Sequence, residues 1–190
     1  MPELRFLGGL TAAQTEELRD IGVAIKRCRE AEQMAKSGIV PDYLELIWSG
    51  SRNHPAPPVV TRELERQRQV AWGSMRRLFV AVGCCRTGVD NTIHKWCRAN
   101  LREQDWAIYK ADWKRHRKAA GPIRNRDMIK AHPNAKGLCA FPLRGRWQDC
   151  KGTWDCVTAA VDAELPVVII PPDAPRFTLT TIAEAKEAMR

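Results

Sequence analysis

Three glycine-containing segments carry residue types suited to binding phosphate. They are SGSR at 49–52, GCCRTGVD at 83–90 and KGT at 151–153. Glycine lets backbone N–H groups approach a phosphate closely, and a following helix start adds unpaired N–H groups and a positive dipole end. Each segment alone is weak evidence, because glycine and threonine before a helix more often form a simple cap. Their shared position after successive predicted strands predicts an anion site.

A fourth segment, AGPIRNRDM at 120–128, adds a cation to this set. Gly-Pro starts a helix well, which predicts that Arg124 and Asn125 lie in its first turn. A cation there opposes the helix dipole, and this is more readily explained if Arg124 faces a bound anion. The alternative is an arginine that faces solvent.

Several familiar catalytic and metal-binding patterns are absent from the sequence. It contains neither a Gly-x-x-x-x-Gly-Lys-Ser/Thr loop nor a Gly-x-Gly-x-x-Gly fingerprint. The seven cysteines include no Cys-x-x-Cys pair, and the four histidines stand apart without ligand spacing. We therefore expect free thiols, no bound metal and no cofactor.

The elements that must position these residues alternate between short apolar runs and helical stretches. Helices are predicted near 61–73, 89–100, 121–131 and 153–164. Single helices between strands are typical of an α/β fold, here a Rossmann-like parallel sheet of about five strands with helices on both faces. Ligands of such sheets bind at the carboxyl ends of the strands. The predicted strands are Tyr43–Trp48, Leu78–Val82, Trp106–Tyr109, Gly137–Phe141 and Pro166–Ile170.

Two segments flank the predicted α/β domain at 42–175. Residues 1–41 are predicted to form an N-terminal helical extension, with an apolar stripe that packs on the core or contacts a second copy of the chain. The tail at 176–190 is predicted to contain a short helix, capped by Thr181 and Glu184. The stripe consists of Leu18, Ile21, Ile25 and Cys28.

The net charge of +9 favours anionic partners, although much of it is expected on solvated helical faces. No apolar run approaches the roughly 18 residues of a membrane span, and the N-terminus does not resemble a secretory signal. We therefore expect a cytoplasmic protein without membrane partners.

The ordered motifs resemble the YspA-like branch of the SLOG superfamily, the Rossmannoid group that includes the LOG phosphoribohydrolases and the DNA-processing protein DprA. The resemblance covers about residues 43–172 and rests on SGSR, GCCRTGVD, ADW, AGPIRNRDM, AFPL, KGTWDC and LPVVII in this order. It implies a nucleotide-type ligand bound across these loops. The residues that it implies for the ligand site are Gly50, Ser51, Arg52, Gly83, Thr87, Gly88, Asp90, Asp112, Trp113, Arg124, Asn125, Gly152 and Thr153.

The sequence departs from the LOG enzymes at their catalytic glutamate. Those enzymes carry Pro-Gly-Gly-x-Gly-Thr-x-x-Glu, and the position three after Thr153 is Cys156 here. Asp155 is adjacent, but one helical step of about 100° is expected to point it elsewhere. Asp90 is then the best remaining catalytic candidate, and capping of its helix is the alternative role.

Three functions are consistent with these residues. The first is a sensor or sequestering module for a nucleotide-derived molecule, and the phage and bacterial-conflict context of this branch fits it. The second is a nucleotide N-glycosidase that uses Asp90, Asp112 or Asp155. The third is DNA binding in the manner of DprA, through the basic run at 110–118. The resemblance also implies a homodimer.

Overall fold

The structure is a computed structural model, and it describes residues 42–55, 57–143, 150–173, 175–179 and 181–187. The predicted helical extension at 1–41, with its apolar stripe, lies outside these residues. The sequence prediction of an α/β fold is confirmed by the described residues, which form a six-stranded sheet between helices.

The strands of the sheet are arranged in the order β3-β2-β1-β4-β5-β6. The first five strands along the chain run parallel, and β6 is antiparallel to β5. The strands are β1 (Tyr43–Gly50), β2 (Arg77–Gly83), β3 (Trp106–Tyr109), β4 (Gly137–Phe141), β5 (Val167–Ile169) and β6 (Phe177–Leu179).

The predicted helices are present, three of them beginning one to four residues earlier and the fourth shifted two residues toward the N-terminus, and a one-turn helix precedes the third. Two short 3-10 segments lie at Glu103–Asp105 and Arg117–Ala119. The α-helices are α1 (Pro57–Gly73), α2 (Gly88–Asn100), α3 (Trp113–His116), α4 (Ala120–Ala131), α5 (Lys151–Asp162) and α6 (Ile182–Glu187).

Helices cover both faces of the sheet because its strands are apolar on both sides. Ile47 packs in a cluster with Met128 of α4 and Trp154 of α5. The next residue, Trp48, points to the other face and packs in a cluster with Leu64 of α1. This alternation follows from the two-residue period of a strand. Burial on both faces is typical of a parallel sheet.

The topology places a crevice beside β1, in the centre of the sheet. The chain leaves β1 toward β2 and β3, then crosses back to form β4 on the other side of β1. This reversal is a topological switch point, where ligands of open α/β sheets bind. The ends of β1 and β4 are aligned there, since Gly50 pairs with Phe141.

The C-terminal tail contains the predicted helix and also a strand that was not predicted. The Glu184 N–H donates to the Thr181 hydroxyl over 3.2 Å, which confirms the predicted cap of α6. Strand β6 adds an antiparallel edge to the sheet. Arg176 next to it forms an ion pair with the buried carboxylate of Glu63 in α1, at 3.4 Å. The tail is therefore joined to the sheet and to a helix.

Within the described ranges, every helix is too short or too polar to cross a membrane.

Two glycines near the crevice provide a test of this backbone. Gly88 has a φ of +67°, and a Cβ there would lie 2.3 Å from the Ser51 carbonyl oxygen. We expect Gly88→Ala to lower the free energy of unfolding by about 1–3 kcal/mol, since a side chain is strained in this conformation. Gly152→Ala is the matched control, because a Cβ at Gly152 meets no atom within 4 Å. Urea denaturation measures both. Equal stability of the two variants would contradict the Gly88 conformation.

Candidate functional site

A cavity of about 520 Å³ lies at the carboxyl ends of the central strands. It is bounded by the segments after β1, β2 and β3, and by the first turns of α4 and α5. Nine of the thirteen predicted ligand-site residues line it, namely Gly50, Ser51, Arg52, Asp90, Trp113, Arg124, Asn125, Gly152 and Thr153. Residues far apart in sequence are thus brought together as the topology requires.

Ser51 fixes the loop that follows β1. Its N–H donates to the Phe141 carbonyl over 3.0 Å, and its carbonyl accepts from the Val89 N–H over 3.2 Å. Its hydroxyl accepts from the Asn53 N–H over 3.2 Å. Ser51 is buried, so these bonds join β4, the loop and the start of α2 into one rigid wall. Arg52 is exposed beside it and lines the cavity.

Arg124 lines the cavity from the second turn of α4. It is the fifth residue of α4 and not in the first turn, because the helix begins at Ala120. The expected conflict with the helix dipole therefore does not apply, since that effect is confined to the first turn. The guanidinium donates from Nη1 to the Tyr109 carbonyl over 3.3 Å, at the end of β3.

Gly83 has a different role from the one predicted. It is not among the residues that line the cavity, because the Arg124 guanidinium covers it. A Cβ at Gly83 would lie 1.6 Å from Arg124 Nη1 and 2.5 Å from Asp90 Oδ2. The glycine thus makes room for an arginine from α4, and its relation to any ligand is indirect.

Asp90 is a buried carboxylate in the first turn of α2. It accepts from the Cys85 N–H over 3.2 Å, and its Oδ2 lies 3.9 Å from Arg124 Nη1. Its hydrogen bond orders the loop before α2 and does not cap the helix itself. Burial raises the pKa of Asp90 above its ordinary value of 3.8, and Arg124, the Cys85 N–H and Arg52 act in the opposite direction.

Asp155 also lines the cavity, so the expectation that it points elsewhere is wrong. The buried Asn125 amide donates to Asp155 Oδ2 over 2.9 Å and to the Gly152 carbonyl over 3.2 Å. These bonds hold the start of α5 against α4. The side chain of Asp155 therefore lies on the same helix face as Gly152, three residues earlier.

Cys156 occupies the position that the LOG pattern gives to glutamate, and it is fully buried away from the cavity. Burial raises the pKa of its thiol to about 12, despite a hydrogen bond with Ser49 that lowers it. The thiol is neutral at physiological pH, which agrees with the sequence argument against its acting as a carboxylate.

Three further predicted residues lie outside the cavity. Thr87 is exposed before α2, and its side chain forms no capping bond. Gly88 lines a neighbouring groove beside α2, where its backbone approaches Ser51. Asp112 caps α3, since its carboxylate accepts from the Arg115 N–H over 3.0 Å. Its neighbour Trp113 does line the cavity.

The first turn of α5 lines the cavity. Cys150 at the N-cap forms no side-chain capping bond, and its sulfur instead accepts from the Leu143 N–H at 3.1 Å. Lys151, Gly152 and Thr153 line the cavity. Unpaired N–H groups and the positive dipole end at such a helix start attract anions.

Sequence reasoning missed several residues that line the cavity. Lys118, in the basic run at 110–118, and Cys84 and Cys85, in the segment after β2, all line the cavity. The signal for Asp155 was present, because a helix that begins at Lys151 places residues 152 and 155 on one face. Among the described residues, no group of three or more His, Cys, Asp or Glu side chains could hold a metal ion.

Comparison with known proteins gives a phage relative. The chain is 34% identical over 85 residues to the Gene 61 protein of Mycobacterium phage D29. The matched stretch is 43% of this chain and 62% of that protein, so the chain spans less than two thirds of the relative's length. No family model and no solved structure matches the chain. The expected phage connection is supported to the extent of this similarity.

The buried Asp90 predicts a specific pH dependence of stability. Its pKa is higher in the folded than in the unfolded chain, so its contribution to stability is lost as pH rises through this interval. We expect Asp90→Asn, which keeps an oxygen for the Cys85 N–H, to gain stability relative to the wild type as the pH rises above the ordinary aspartate pKa of 3.8. Urea denaturation across this range measures the difference. A variant that instead loses relative stability as pH rises would show that attraction to Arg124 outweighs burial.

Proposed function

We propose that the cavity binds a nucleotide or nucleotide-derived ligand through its phosphate groups. The observation that carries the proposal is that a helix start and a partly buried arginine line the same cavity. Two independent sources of positive potential thus meet where the topology places ligands. The resemblance to the SLOG superfamily supports the same function.

The phosphate group is assigned to the first turn of α5. Backbone N–H groups of residues 151–153 would donate to its oxygens, as at other helix N-termini. The side chains of Arg52, Lys118 and Arg124 line the same cavity and supply charge-assisted hydrogen bonds. The indole of Trp113 is 53% exposed at the mouth, which leaves a face free to stack on a base.

The charge of Asp90 also supports a functional site. Burial disfavours its ionised form, yet the chain retains a carboxylate where asparagine could accept the same hydrogen bond. Perturbed carboxyl groups in a cleft are typical of functional sites. With an anionic ligand bound, the Asp90 carboxylate would offset part of the charge of Arg124. It would also accept hydrogen bonds from N–H or O–H groups of the ligand.

The resulting biological role is that of a sensor or sequestering module in the cytoplasm. The similarity to a phage protein favours a phage setting for it.

The homodimer stays a prediction. Light scattering at micromolar protein concentration tests it, and a monomeric mass would contradict it.

A second candidate function is hydrolysis of the N-glycosidic bond of a nucleotide. It is favoured by the two carboxylates, Asp90 and Asp155, that line the cavity. A cavity without carboxylates would have favoured ligand binding as its function and not hydrolysis. The Asp155 carboxylate accepts a hydrogen bond from the Asn125 amide, and its Oδ1 lies 3.7 Å from Arg126 Nη2. These two contacts fix the orientation of the carboxylate.

The arginine gives the direct test of nucleotide binding. We expect Arg124→Ala to weaken binding of a nucleoside phosphate by about 1.5–3 kcal/mol, the scale of a charge-assisted hydrogen bond. Lys130→Ala is the matched control, because it removes an exposed cation from the last turn of the same helix. Isothermal titration calorimetry measures both. Unchanged affinity in Arg124→Ala would remove this residue from the site.

Variants of the two carboxylates distinguish ligand binding from hydrolysis. We expect nucleoside monophosphates and dinucleotides to bind without release of free base, because neither carboxylate occupies the position of the LOG glutamate. Chromatography of the reaction mixture measures the base. Release that disappears in Asp90→Asn or Asp155→Asn, with the fold intact by circular dichroism, would make the protein an N-glycosidase and overturn the preference for binding.

A further inference from the structure

Three hydrogen-bonded side chains lie between the end of α4 and the sheet. His132, the residue after α4, is buried, and its Nδ1 is bonded to the carboxylate of Glu45 in β1. Its Nε2 lies 2.8 Å from the Tyr109 hydroxyl. The rings of Phe79 and Tyr109 pack on the imidazole, with centroids 5.3 Å and 5.5 Å away. Glu45, Tyr109 and His132, here called the buried triad, do not line the cavity, so direct ligand contact does not explain them.

The two bonds of the imidazole define which atoms of the buried triad donate. A carboxylate can only accept, so His132 Nδ1 carries a hydrogen and donates it to Glu45. In the neutral ring, Nε2 then accepts from the Tyr109 hydroxyl. Burial and the charge of Glu45 raise the pKa of Tyr109 above its ordinary value of 10.0, so this hydroxyl keeps its proton at neutral pH. Glu45 thus orients the imidazole, and the imidazole orients the Tyr109 ring.

Tyr109 is bound by α4 at two separate points. Its carbonyl accepts from Arg124 Nη1 over 3.3 Å in the second turn, and its hydroxyl is bonded to His132 after the end of the helix. These two partners are eight residues apart, which is about 12 Å along a helix axis. Tyr109 is also the last residue of β3 and pairs with Gly83 of β2. One residue therefore sets the position of α4 relative to the ends of two strands.

The orientation of the Arg124 guanidinium depends on this same residue. Among the described residues, its bond to the Tyr109 carbonyl is the one hydrogen bond that the guanidinium makes, because Asp90 Oδ2 is 3.9 Å away and Arg124 Nε is buried without a partner. A shift of the Tyr109 carbonyl would therefore move the cation that we assign to phosphate.

From this geometry we infer that Tyr109 and His132 are positioning residues for phosphate binding, and that they act through Arg124. The inference rests on the proposed nucleotide site and assigns to it two residues outside the cavity. Glu45 holds His132, His132 holds the Tyr109 ring, and the Tyr109 carbonyl holds the guanidinium. A phosphate then meets an arginine that is already oriented, which lowers the entropic cost of binding.

The test uses two tyrosine variants that each remove one hydroxyl. Tyr109→Phe removes the bond to His132 and leaves the backbone carbonyl in place. Tyr43→Phe is the matched control, because the Tyr43 hydroxyl donates over 2.9 Å to the buried Asp105, at the amino ends of the strands. Each change is made in the wild type and in Arg124→Ala. Calorimetry measures the affinity for the tightest-binding of the common nucleoside monophosphates, and urea denaturation measures stability.

Tyr109→Phe is expected to weaken nucleotide binding about three- to tenfold, the effect of one lost hydrogen bond. Tyr43→Phe should stay within about twofold of the wild-type affinity, although both variants are expected to be less stable in urea. In Arg124→Ala, Tyr109→Phe should cause no further loss of affinity, because members of one network are not additive. His132→Gln combined with Tyr109→Phe should bind no more weakly than the weaker single variant.

A second measurement needs no ligand. In NMR spectra of the free protein, the side-chain N–H signal of Arg124 is expected to move in Tyr109→Phe and to stay in place in Tyr43→Phe. A role of Tyr109 in stability alone would leave this signal unchanged.

Four results would overturn the inference. Wild-type affinity in Tyr109→Phe, with weakened binding in Arg124→Ala, would remove the positioning role and leave the proposed nucleotide site intact. An equal loss of affinity with and without Arg124 would show that Tyr109 acts through the fold in general. An unchanged Arg124 signal in free Tyr109→Phe would exclude action through the guanidinium. If the wild type binds none of the nucleoside monophosphates, the proposed function fails and this inference fails with it.

Discussion

The guanidinium of Arg124 joins three separate parts of the cavity wall. It covers Gly83 at the end of β2, donates to the Tyr109 carbonyl at the end of β3, and lies 3.9 Å from the buried carboxylate of Asp90. Burying the Asp90 carboxylate without a nearby cation would cost free energy. Without Asp90, Arg124 would in turn be a partly buried cation that lacks a counter-charge. The glycine at the end of β2 and the buried carboxylate that orders the loop before α2 are both matched to that one side chain.

Charge in the cavity follows from this arrangement. Arg124 and Asp90 partly offset each other, so the excess positive potential comes from the start of α5 and from cations such as Arg52 and Lys118. Asp155 is held by Asn125 and Arg126 on the same wall of the cavity. An anionic group is thus favoured near α5, while two carboxylates remain available to polar hydrogens of the same ligand. This division accounts for both the proposed binding and the hydrolytic alternative.

The sheet and its helices could be predicted because each element carries a local signal. Buried strands such as LFVAV in β2 are apolar throughout, and a capping pair marks α6. Strand β6 has three residues, too few to show a period, and it depends on pairing with β5. The site was predicted in part. The role of Gly83 depends on a contact with Arg124 that no local pattern shows. The prediction for Asp155 is wrong because the family pattern places residue 156 toward the site, whereas Cys156 is buried in the core and Asp155 lines the cavity.

A titration of the isotope-labelled protein with nucleoside mono-, di- and triphosphates, followed by NMR of backbone amides and arginine side chains, tests the central claim most directly. The account predicts saturable shifts of the amides of residues 151–153, the loop after β1 and the guanidinium of Arg124, with larger shifts for ligands that carry phosphate than for the nucleoside. Shifts confined to the groove beside α2, or equal shifts from a nucleoside without phosphate, would contradict it.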